Sequence, residues 1–505
     1  MLPTPAPLSQ VMRSCQAAPS AGQAAGRSSG ILLLFVSLLV FVLPLDAQQT
    51  PAPAAAAIEE AFVNVIAARE KSVVAIGMFQ VDNDPFGGHR PNRDQPPTLD
   101  AIPDAYATGV IVDPKGLILT CWHTLKDKHK KTRQYVRFAD KPVWWQVRIR
   151  AADPFSDLAV LELVDAKEVT SQVKLQPMPL GDTQSLRKGQ LVITLGNPYA
   201  IARDGQVSAG WGIVSNLRRQ APPQEGRQLP NQRRPSLHHL GTLIQTDAKL
   251  NLGTSGGALL NLKGEMIGLT TSLAALEGYE KAAGYAIAVD RTFRRALQQL
   301  KEGREVEYGF LGVRLSDLTH YQRAAGWYGV RIEGVIDGGP AASKLRTGDM
   351  ITHVNHQRIQ SVTEMMRAIS RRAPETQLRL TVAQTDPATD RLVPRFTSIR
   401  LTKKYIAGEN VITVPRPAWR GIRVDYTTVS AWVLGSIRID PGVFVQQILP
   451  ETAAATAGLE VGQRITHVGD LSVNSPEEFF SAVVDQQGPV RLRVEPAAEV
   501  VVIAP

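Results

Sequence analysis

The chain has little cysteine, with only Cys15 and Cys121 among its 505 residues. Cys15 lies in an N-terminal leader that we expect to be removed, so the mature chain keeps one thiol and forms no internal disulfide. This excludes a small secreted scaffold that disulfides hold together, and it leaves a hydrophobic core as the source of stability. An exported protein that forms no disulfide is more typical of the bacterial envelope than of small secreted proteins.

Two further features are absent from the sequence. No group of His, Cys and Asp residues has the spacing of metal ligands, so we predict neither a metal nor a cofactor. The net charge of +9 would suit nucleic acid or anionic lipid as a partner. However, the basic residues are scattered and aromatic residues do not alternate with them. A solvated basic surface is therefore favoured, and no nucleic-acid partner is predicted.

Long hydrophobic runs are also rare, and Ile31–Leu45 is the one that stands out. Arginines precede it and a small residue follows it, which is typical of a secretory signal peptide. The run is shorter than a membrane span usually needs. We therefore predict a signal peptide over residues 1–47, a flexible linker over 48–57 and no stable membrane span after cleavage. An uncleaved anchor is the alternative.

The remaining pattern is mainly that of β-strands in a chain whose length predicts about three domains. A helix is predicted over 58–69 from apolar residues at helical spacing, and another over 294–301. Between them, short apolar runs alternate with glycine, proline and aspartate turns, which predicts an all-β barrel or sandwich. The predicted strands are 72–79, 108–112, 117–120, 143–149, 158–163, 191–195 and 211–214.

The C-terminal part of the chain contains an internal repeat. The segment Gly348–Val354 recurs as Gly462–Val468, and Leu345 is matched by Leu459 at the same offset. Two copies of about ninety residues predict tandem domains and not a solenoid.

A serine lies among glycines in the run Gly253-Thr254-Ser255-Gly256-Gly257. Glycine allows a tight turn that residues with a Cβ resist. The N–H groups of such a turn can converge on a developing oxyanion. Ser255 is therefore a candidate nucleophile, with the N–H groups of Gly253 and Ser255 as the oxyanion hole. A glycine-rich hairpin loop without chemistry is the alternative.

A serine nucleophile needs a base, and the base needs an acid that orients it. His123 follows the predicted strand 117–120, and Asp157 directly precedes the predicted strand 158–163. Each residue alone is more often a packed residue or a turn residue. Together with Ser255 they follow the order His, Asp, Ser along an all-β domain, which is the chymotrypsin order.

In these segments the sequence resembles the HtrA (Deg) family of trypsin-like serine proteases. The resemblance covers roughly residues 58–497 and rests on TGVIVDPKGLILT-x-x-H, DPFSDLAVLEL, LGNPYA, GIVS, IQTDAKLNLGTSGGAL and GYAIAVD. It implies a mainly β fold, with a chymotrypsin-like double β-barrel protease domain followed by two α/β PDZ domains. The implied regions are a trypsin-like serine protease domain at 58–304, PDZ domain 1 at 305–404, a linker at 405–416 and PDZ domain 2 at 417–498.

Carried over residue by residue, the resemblance implies a catalytic triad. His123 would be the general base, Asp157 its orienting acid and Ser255 the nucleophile, and the N–H groups of Gly253 and Ser255 would bind the oxyanion. Thr254 replaces the asparagine usual in the family, at a position that contributes mainly its backbone. The residue pair Cys121-Trp122 is bulkier than the polar pair usual before the histidine.

The resemblance also implies where substrate binds. The strand residues Leu269, Thr270 and Thr271 would pair with the substrate backbone. Leu250 is the candidate floor of an apolar S1 pocket, and Lys249 beside it would discourage Lys or Arg at P1. We therefore expect cleavage after small or medium aliphatic residues.

The loop of PDZ domain 1 is expected to capture a peptide C-terminal carboxylate on its backbone N–H groups. Its residues are Phe310, Leu311, Gly312 and Val313. The second module has Arg420 in place of the apolar residue, so that a role in peptide capture and a role in assembly or spacing are both open. The resemblance also implies that residues 216–240 are the sensor loop of the family, which is long here. A solvent-exposed insertion and a specific contact with a PDZ domain are both open for this loop.

The resemblance thus implies an exported, ATP-independent serine endopeptidase that degrades unfolded or damaged proteins in envelope quality control. Its partners would be unfolded proteins and peptides with apolar C-termini, and it would form a homotrimer or a larger oligomer to which Phe62 contributes. The expected location is the periplasm. The alternatives are a catalytically weak PDZ-based chaperone or adaptor, and a regulatory protease that cuts one specific envelope partner.

Overall fold

The structure is a computed structural model. It describes residues 53–80, 97–98, 101–125, 132–139, 141, 143–197, 206–220, 236–251, 253–271, 283–385, 392–406, 412–433, 438–496 and 498–505. The predicted signal peptide lies outside these residues, as do most of the residues of the predicted sensor loop. No helix in the described part of the chain is long and apolar enough to cross a membrane.

The first half of the protease region is a closed barrel of six antiparallel strands in the order β1-β2-β3-β6-β5-β4. The barrel closes because β1 pairs with β2 along one edge and with β4 along the other. Its elements are α1 (Pro53–Arg69), β1 (Val73–Gln80), β2 (Ala105–Ile111), β3 (Leu117–Cys121), α2 (Trp122–Leu125), β4 (Thr132–Arg137), β5 (Trp145–Asp153), β6 (Leu158–Leu163) and α3 (Ala166–Gln172).

A second closed barrel follows, in the order β10-β11-β12-β9-β8-β7. A short 3₁₀ helix, Leu237–Leu240, lies between its second and third strands. The elements are β7 (Leu191–Gly196), β8 (Ser208–Arg219), β9 (Leu243–Thr246), β10 (Ala258–Leu260), β11 (Met266–Thr271), β12 (Gly284–Ala288) and α4 (Arg291–Lys301).

The two barrels share one hydrophobic core. Val110 and Leu119 from the first barrel belong to the same cluster as Ile193 and Leu269 from the second. Helix α4 covers this core with an apolar face that includes Phe293, and the Asp290 carboxylate caps its first turn. The two barrels therefore meet along a packed interface rather than as independent bodies.

Helix α1 begins five residues earlier than predicted, at Pro53 instead of Ile58. The run of alanines from Ala54 to Ala57 consists of the strongest helix former, and proline is tolerated in a first helical turn. Residues 53–57, which we expected in a flexible linker, are therefore helical.

The repeated segments form two modules with the same strand order. The sheets run β14-β15-β16-β18-β19 and β21-β22-β23-β25-β26. The first module comprises β13 (Gly309–Phe310), β14 (Val313–Asp317), α5 (His320–Ala324), β15 (Val330–Val335), β16 (Met350–Val354), β17 (Gln357–Arg358), α6 (Val362–Ser370), β18 (Gln377–Thr385), β19 (Leu392–Arg400) and β20 (Thr402–Lys403). The second comprises β21 (Ile422–Tyr426), α7 (Thr427–Val433), β22 (Val443–Ile448), α8 (Ala453–Thr456), β23 (Arg464–Val468), β24 (Leu471–Ser472), α9 (Pro476–Val483), β25 (Val490–Glu495) and β26 (Glu499–Ile503).

The repeat in sequence is also a repeat in packing. Leu345 and Leu459 are both buried in their module cores, and Met365 of α6 corresponds to Phe479 of α9, each fully buried. The sheet of the second module extends beyond residue 498, the end that we predicted. Its last strand, β26, is a short run of β-branched residues at the chain end that ends with a buried Ile503.

The segment between the two modules lies against the protease region and is not a free linker in its described part. Ala152 donates a backbone hydrogen bond of 2.8 Å to Ile412, and Val414 donates one of 2.7 Å to Gly303. Ile412 packs on the first barrel. Lys403 of β20 is buried at this junction, with ion pairs to Asp425 of the second module and to Glu305.

Candidate active site

His123 lies on α2, the single helical turn that continues β3. Trp122 and Leu125 on the same turn are buried, and together they anchor it against the first barrel. The His123 side chain is 16% exposed. The turn thus leaves the imidazole partly exposed, while its neighbours on the same turn lie in the core.

Asp157 ends a tight turn between β5 and β6. The Asp153 carboxylate holds this turn because its two oxygens accept hydrogen bonds from the backbone N–H groups of Phe155 and Ser156, each at 3.1 Å. Asp157 adopts a left-handed backbone conformation with φ 57°, and its carbonyl accepts a 3.0 Å hydrogen bond from the N–H of Trp122. The turn therefore meets α2 directly.

The carboxylate of Asp157 contacts His123 twice. Oδ1 accepts from the backbone N–H of His123 at 2.8 Å, and Oδ2 lies 2.7 Å from Nδ1. Because a carboxylate only accepts, Nδ1 is the donor, and Nε2 is the acceptor in the neutral imidazole. Burial opposes the imidazolium, but the Asp157 charge and hydrogen bond outweigh it and raise the pKa of His123 above 6.5.

Ser255 lies in a turn of the second barrel and is 3% exposed. The flanking Gly253 and Gly256 have φ values of 92° and 85°, which only glycine adopts without strain. Thr254 donates to the Asn251 carbonyl from its N–H at 3.1 Å and from its hydroxyl at 2.6 Å. The threonine that replaces the asparagine expected from the resemblance therefore supports the turn locally.

The serine turn is fixed to the first barrel at the strands that lead to His123. The N–H of Thr108 donates to the Ser255 carbonyl at 3.0 Å, and its hydroxyl donates to the Gly253 carbonyl at 2.6 Å. The hydroxyl of Thr120, three residues before His123, donates to the Thr108 carbonyl at 2.7 Å. Thr108 thus joins the two barrels at the site and Thr120 holds Thr108 in place. Nothing in the sequence distinguished these threonines from other strand residues.

The imidazole Nε2 of His123 is buried and has no hydrogen-bond partner among the residues that the structure describes. The bond between the base and the nucleophile is often long without substrate and shortens when substrate binds. An Nε2 atom without a partner in the described structure is therefore compatible with the predicted role of His123 as the general base.

Leu250 is half-buried, and Lys249 beside it is exposed. A Cβ on Gly284 would lie 3.0 Å from two carbon atoms of the Leu250 side chain. The Leu250 side chain therefore packs closely against Gly284, at a position where any larger residue would displace it. The sequence did not suggest this role because Gly284 begins an ordinary strand pattern.

The predicted pairing of substrate with Leu269, Thr270 and Thr271 stays a prediction, and the structure shows that two of these residues are already paired on the edge toward Ser255. Strand β11 lies between β10 and β12 in the barrel, and Thr270 donates to Gly257 at 2.9 Å and accepts from Gly256 at 2.8 Å. Leu269 and Thr270 are thus already paired on this edge, so an added strand would need Thr271 and the residues after it. The residues directly after Thr271 lie outside the part of the chain that is described.

A possible metal-ligand group occurs at the site among the described residues. Its members are Cys121, His123 and Asp157, whose donor atoms lie within 4.8 Å of one another. Cys121 is fully buried and donates to the Thr270 carbonyl at 3.4 Å. Burial and the Asp157 charge raise the pKa of this thiol well above its usual value, so it is a protonated packing residue and not a thiolate ligand.

His238 is a further residue at the site that sequence reasoning missed. It is fully buried in the 3₁₀ helix, and its ring nitrogens lie 3.0 Å from the Ser156 carbonyl and 2.8 Å from the Thr242 hydroxyl. Burial lowers the pKa of His238, so it is a neutral group that supports the turn before Asp157. The pair His238-His239 at the end of a predicted loop was the available signal.

In the first module, the segment Phe310–Val313 crosses from β13 into β14. Leu311 is buried, Gly312 has φ 78°, and its carbonyl accepts from the N–H of Ile336 at 2.9 Å. Strand β14 ends the sheet order, and no described strand pairs with its other edge. An edge strand that follows such a loop has the geometry that peptide strand addition requires.

The corresponding loop of the second module is occupied by Arg420. Its guanidinium donates to the backbone carbonyls of Gln486, Gly488, Ile503 and Ala504 at 2.8 to 3.1 Å. It also stacks over the Trp419 ring, with Cζ 4.7 Å from the ring centroid. The side chain therefore ties the loop to the C-terminal strand of its own module.

The fold and site are those of a trypsin-like serine endopeptidase joined to a PDZ domain. A model of the trypsin-like peptidase domain matches residues 107–269, and a model of the PDZ domain matches residues 309–389. The latter covers one of the two repeated modules. The mainly β fold and the endopeptidase class that we predicted are thereby confirmed.

Comparison with known proteins defines the family. A "Probable periplasmic serine endoprotease DegP-like" of Chlamydia muridarum is 30% identical over 414 residues, which are 80% of this chain and 74% of the relative. The "Periplasmic pH-dependent serine endoprotease DegQ" of Escherichia coli is 27% identical over 416 residues, with 81% of each chain covered. The solved structure "HtrA-type protease AlgW with decapeptide" aligns with 68% of this chain and 99% of its own at 24% identity and a TM-score of 0.48. The chain belongs to the HtrA family of DegP-like serine endoproteases.

Proposed function

We propose that this endopeptidase is exported, works without ATP and degrades unfolded or damaged proteins in the cell envelope. The observation that carries the proposal is the pair of hydrogen bonds between His123 and Asp157, together with the glycine-rich turn that holds Ser255. Relatives named as periplasmic endoproteases support the compartment. Peptide capture by the first module would bring unfolded chains to the site.

In the proposed mechanism, Ser255 Oγ attacks the peptide carbonyl while Nε2 of His123 takes its proton. Asp157 stabilises the imidazolium because Oδ2 already accepts from Nδ1 at 2.7 Å. The N–H groups of Gly253 and Ser255 bind the oxyanion, and the loss of one such donor costs about 3 kcal/mol in the transition state. His123 then protonates the leaving amine and afterwards activates the water that hydrolyses the acyl-enzyme.

The first test is digestion of unfolded casein by the mature protein and by its Ser255→Ala variant. We expect cleavage by the parent only, unchanged by chelators, because the reaction needs the serine and no metal. Cleavage by neither protein, even after addition of a peptide with an apolar C-terminus, would contradict the proposal and favour a PDZ-based chaperone.

We propose that Leu250 forms the floor of an apolar S1 pocket. The half-buried Leu250 side chain packs against Gly284, where a residue with a Cβ would displace it, and the exposed Lys249 disfavours a cationic P1 residue. Cleavage should therefore follow small or medium aliphatic residues. A library of peptides that vary at P1 tests this, and a profile dominated by Lys or Arg would contradict it.

We also propose that both repeated modules are PDZ domains with different tasks. The loop Phe310–Val313 of the first module precedes an edge strand and would bind apolar C-termini. In the second module, Arg420 fills the equivalent place with contacts to four backbone carbonyls. Spacing or assembly is therefore the role that we favour for the second module, and titration of each module's loop variant with an apolar peptide tests it.

A homotrimer or larger oligomer is proposed from an exposed apolar patch on the protease region. Trp211 of β8 is 68% exposed, and its ring centroid lies 6.0 Å from that of Phe62 on α1. Ile58 and Val63 on the same helix are also exposed, at 45% and 58%. Light scattering on the parent and on a Trp211→Ser variant tests this surface, and a monomeric parent would contradict it.

The predicted signal peptide is tested by N-terminal sequencing of the mature protein. A start near Gln48 would support release into the periplasm. A retained N-terminus would instead favour the alternative of an anchored protease with one specific envelope partner.

A further inference from the structure

The turn that carries Asp157 depends on one buried carboxylate, that of Asp153, which is 2% exposed. Within the turn it accepts from Phe155 and from Ser156, whose hydroxyl lies 2.5 Å from Oδ2. Its remaining donor comes from elsewhere, since the hydroxyl of Tyr308 also bonds Oδ2. The protease turn is thus completed by a residue 155 positions later in the chain.

Tyr308 lies in the segment that connects α4 with β13, immediately before the first PDZ strand. It is fully buried, and its ring packs edge-on against Phe155 with centroids 4.7 Å apart. Its carbonyl accepts a backbone hydrogen bond from Lys404, which follows β20. The first and last strands of the module, β13 and β20, pair with each other beside it. The phenol is therefore fixed by the base of the PDZ module and by the catalytic turn at once.

The turn needs such support because of its backbone conformation. Asp157 has φ 57°, in the left-handed region that residues with a Cβ rarely occupy. A residue stays in such a conformation only when its surroundings hold it there. On one side the 3₁₀ helix holds the turn, because Leu237 donates to the Phe155 carbonyl at 2.7 Å and His238 bonds the Ser156 carbonyl. Tyr308 provides the contact at the start of the turn.

We propose that Tyr308 is a positioning residue of the endopeptidase: its hydroxyl fixes the Asp153 carboxylate and thereby keeps the Asp157 carboxylate directed at His123. This inference rests on the proposed roles of His123 and Asp157. The base of the PDZ module would thus hold the turn that carries Asp157 in place.

The inference predicts a specific kinetic signature for Tyr308→Phe, which keeps the ring packing and removes only the hydroxyl. A small displacement of a catalytic group lowers the rate by about tenfold to a hundredfold. We expect a loss in kcat of about that size, with little change in the KM of a short peptide substrate. The pKa of His123 should fall as well, because the Asp157 charge and hydrogen bond now raise it against the effect of burial.

The matched control is Tyr426→Phe. Tyr426 is also buried, and its hydroxyl donates to a Glu477 oxygen at 2.8 Å, but it lies in the second module. The same atom is therefore removed from the same kind of bond away from the catalytic turn. We expect this variant to keep the parent kcat and pH profile, whatever its effect on the unfolding temperature.

The experiment measures kcat, KM and their pH dependence for the full mature chain, its two tyrosine variants, Asp153→Asn and the double variant Tyr308→Phe with Asp153→Asn. Because both residues act through one bond, Tyr308→Phe should have little further effect once Asp153 is changed. In parallel, NMR titration of His123 in the inactive Ser255→Ala background should show the lower pKa without any turnover.

Each outcome decides the question. If Tyr308→Phe keeps the parent kcat and His123 titration, or if both tyrosine variants lose activity alike, the inference is refuted. Independent, additive effects of the two substitutions would refute it as well. If the Ser255→Ala variant retains the activity of the parent, the proposed catalytic mechanism has failed instead, and that result is distinct from the others.

Discussion

The contacts of Asp157 allow one substitution to be predicted in detail, Asp157→Asn. The carboxylate now accepts from the His123 N–H at 2.8 Å and from Nδ1 at 2.7 Å. An asparagine has one oxygen and one NH₂ group, so it can accept from only one of these two donors. If its oxygen keeps the backbone N–H, the NH₂ group faces Nδ1 and makes that nitrogen the acceptor. The imidazole proton then lies on Nε2, which can no longer accept the proton of Ser255.

The expected magnitude follows from this change of tautomer. Loss of the orienting carboxylate with otherwise intact geometry lowers kcat by about ten-thousandfold in a triad of this kind. That factor corresponds to about 5 kcal/mol of lost transition-state stabilisation. KM for a short peptide should change little, because Asp157 is buried behind His123 and does not reach substrate.

The substitution should also shift the pH dependence in a known direction. We expect the parent to lose activity on acidification as His123 protonates, and Asp157 raises the pKa of His123 above 6.5 in spite of burial. Without the carboxylate, burial alone remains and lowers this pKa. The acid limb of the rate profile should therefore move to lower pH as its plateau falls.

His123 should stabilise the folded state at low pH in the parent and at high pH in the Asp157→Asn variant. The raised pKa of His123 stabilises the parent fold fully below the unfolded value of about 6.5, and this contribution is lost as pH rises through the folded value. In Asp157→Asn, with a lowered pKa, the neutral imidazole is favoured in the fold. The contribution of His123 is then present above 6.5 and is lost as pH falls.

The assay is hydrolysis of a chromogenic peptide across pH, with thermal unfolding of the same samples. Asp113→Asn is the control, because Asp113 forms an ion pair of 3.0 Å with Lys301 on the surface of the same barrel. It should leave kcat and the acid limb unchanged. An Asp157→Asn protein that keeps the parent acid limb would refute the reasoning, since Asp157 would then not control the protonation of His123.

Three further substitutions test the packing around the site and the modules. Gly256→Ala places a Cβ 2.1 Å from the Thr108 carbonyl oxygen and should lower kcat by at least about a hundredfold. The control Gly189→Ala has a similar φ of 88° and open space around the new Cβ, so it should keep full activity. Equal activity of the two variants would contradict this prediction. Arg420→Ala removes hydrogen bonds to four backbone carbonyls and should destabilise the second module by about 2 kcal/mol in calorimetry. Cleavage of a short peptide should be unaffected. The control Arg331→Ala, at an exposed residue, should change neither the stability nor the cleavage rate. Lys403→Met leaves the Asp425 carboxylate, 4% exposed, without its ion pair and should cost about 3 to 5 kcal/mol of stability in denaturant titration; an unchanged midpoint would show that the pair is not buried in solution.

Local patterns in the sequence predicted much of the fold. Alternating apolar runs with turn residues at their ends marked the strands, because burial of one face of a strand imposes that period. The internal repeat predicted two modules, since Leu345 and Leu459 fill equivalent core positions in both. Helix α1 extended further than predicted because intrinsic helix propensity, rather than amphipathic spacing, determines its first turn.

The same local information was insufficient for the pairing of β11. The residues Leu269 to Thr271 have the composition of a strand, and a strand at the rim of a cleft was a reasonable expectation. Which neighbours flank a strand depends on the topology of the barrel, and here β10 and the serine turn already pair with Leu269 and Thr270 on the edge toward Ser255. A sequence pattern of period two identifies the two faces of a strand and says nothing of its two edges.

The candidate site shows the same division between local and distant causes. His123, Asp157 and Ser255 were predicted jointly because each lies next to a recognisable strand or glycine turn. Asp153, four residues before Asp157, looked like an ordinary turn residue. A buried carboxylate must be hydrogen-bonded, so its burial requires donors beyond the few that a four-residue turn can offer. A further donor such as the Tyr308 hydroxyl is therefore required, but the sequence does not show which residue supplies it. Tyr308 is 155 residues away and meets the turn only when the PDZ module packs against the barrel. The turn before Asp157 is therefore completed by the protease domain together with its neighbour, and a single sequence cannot supply the contacts between them.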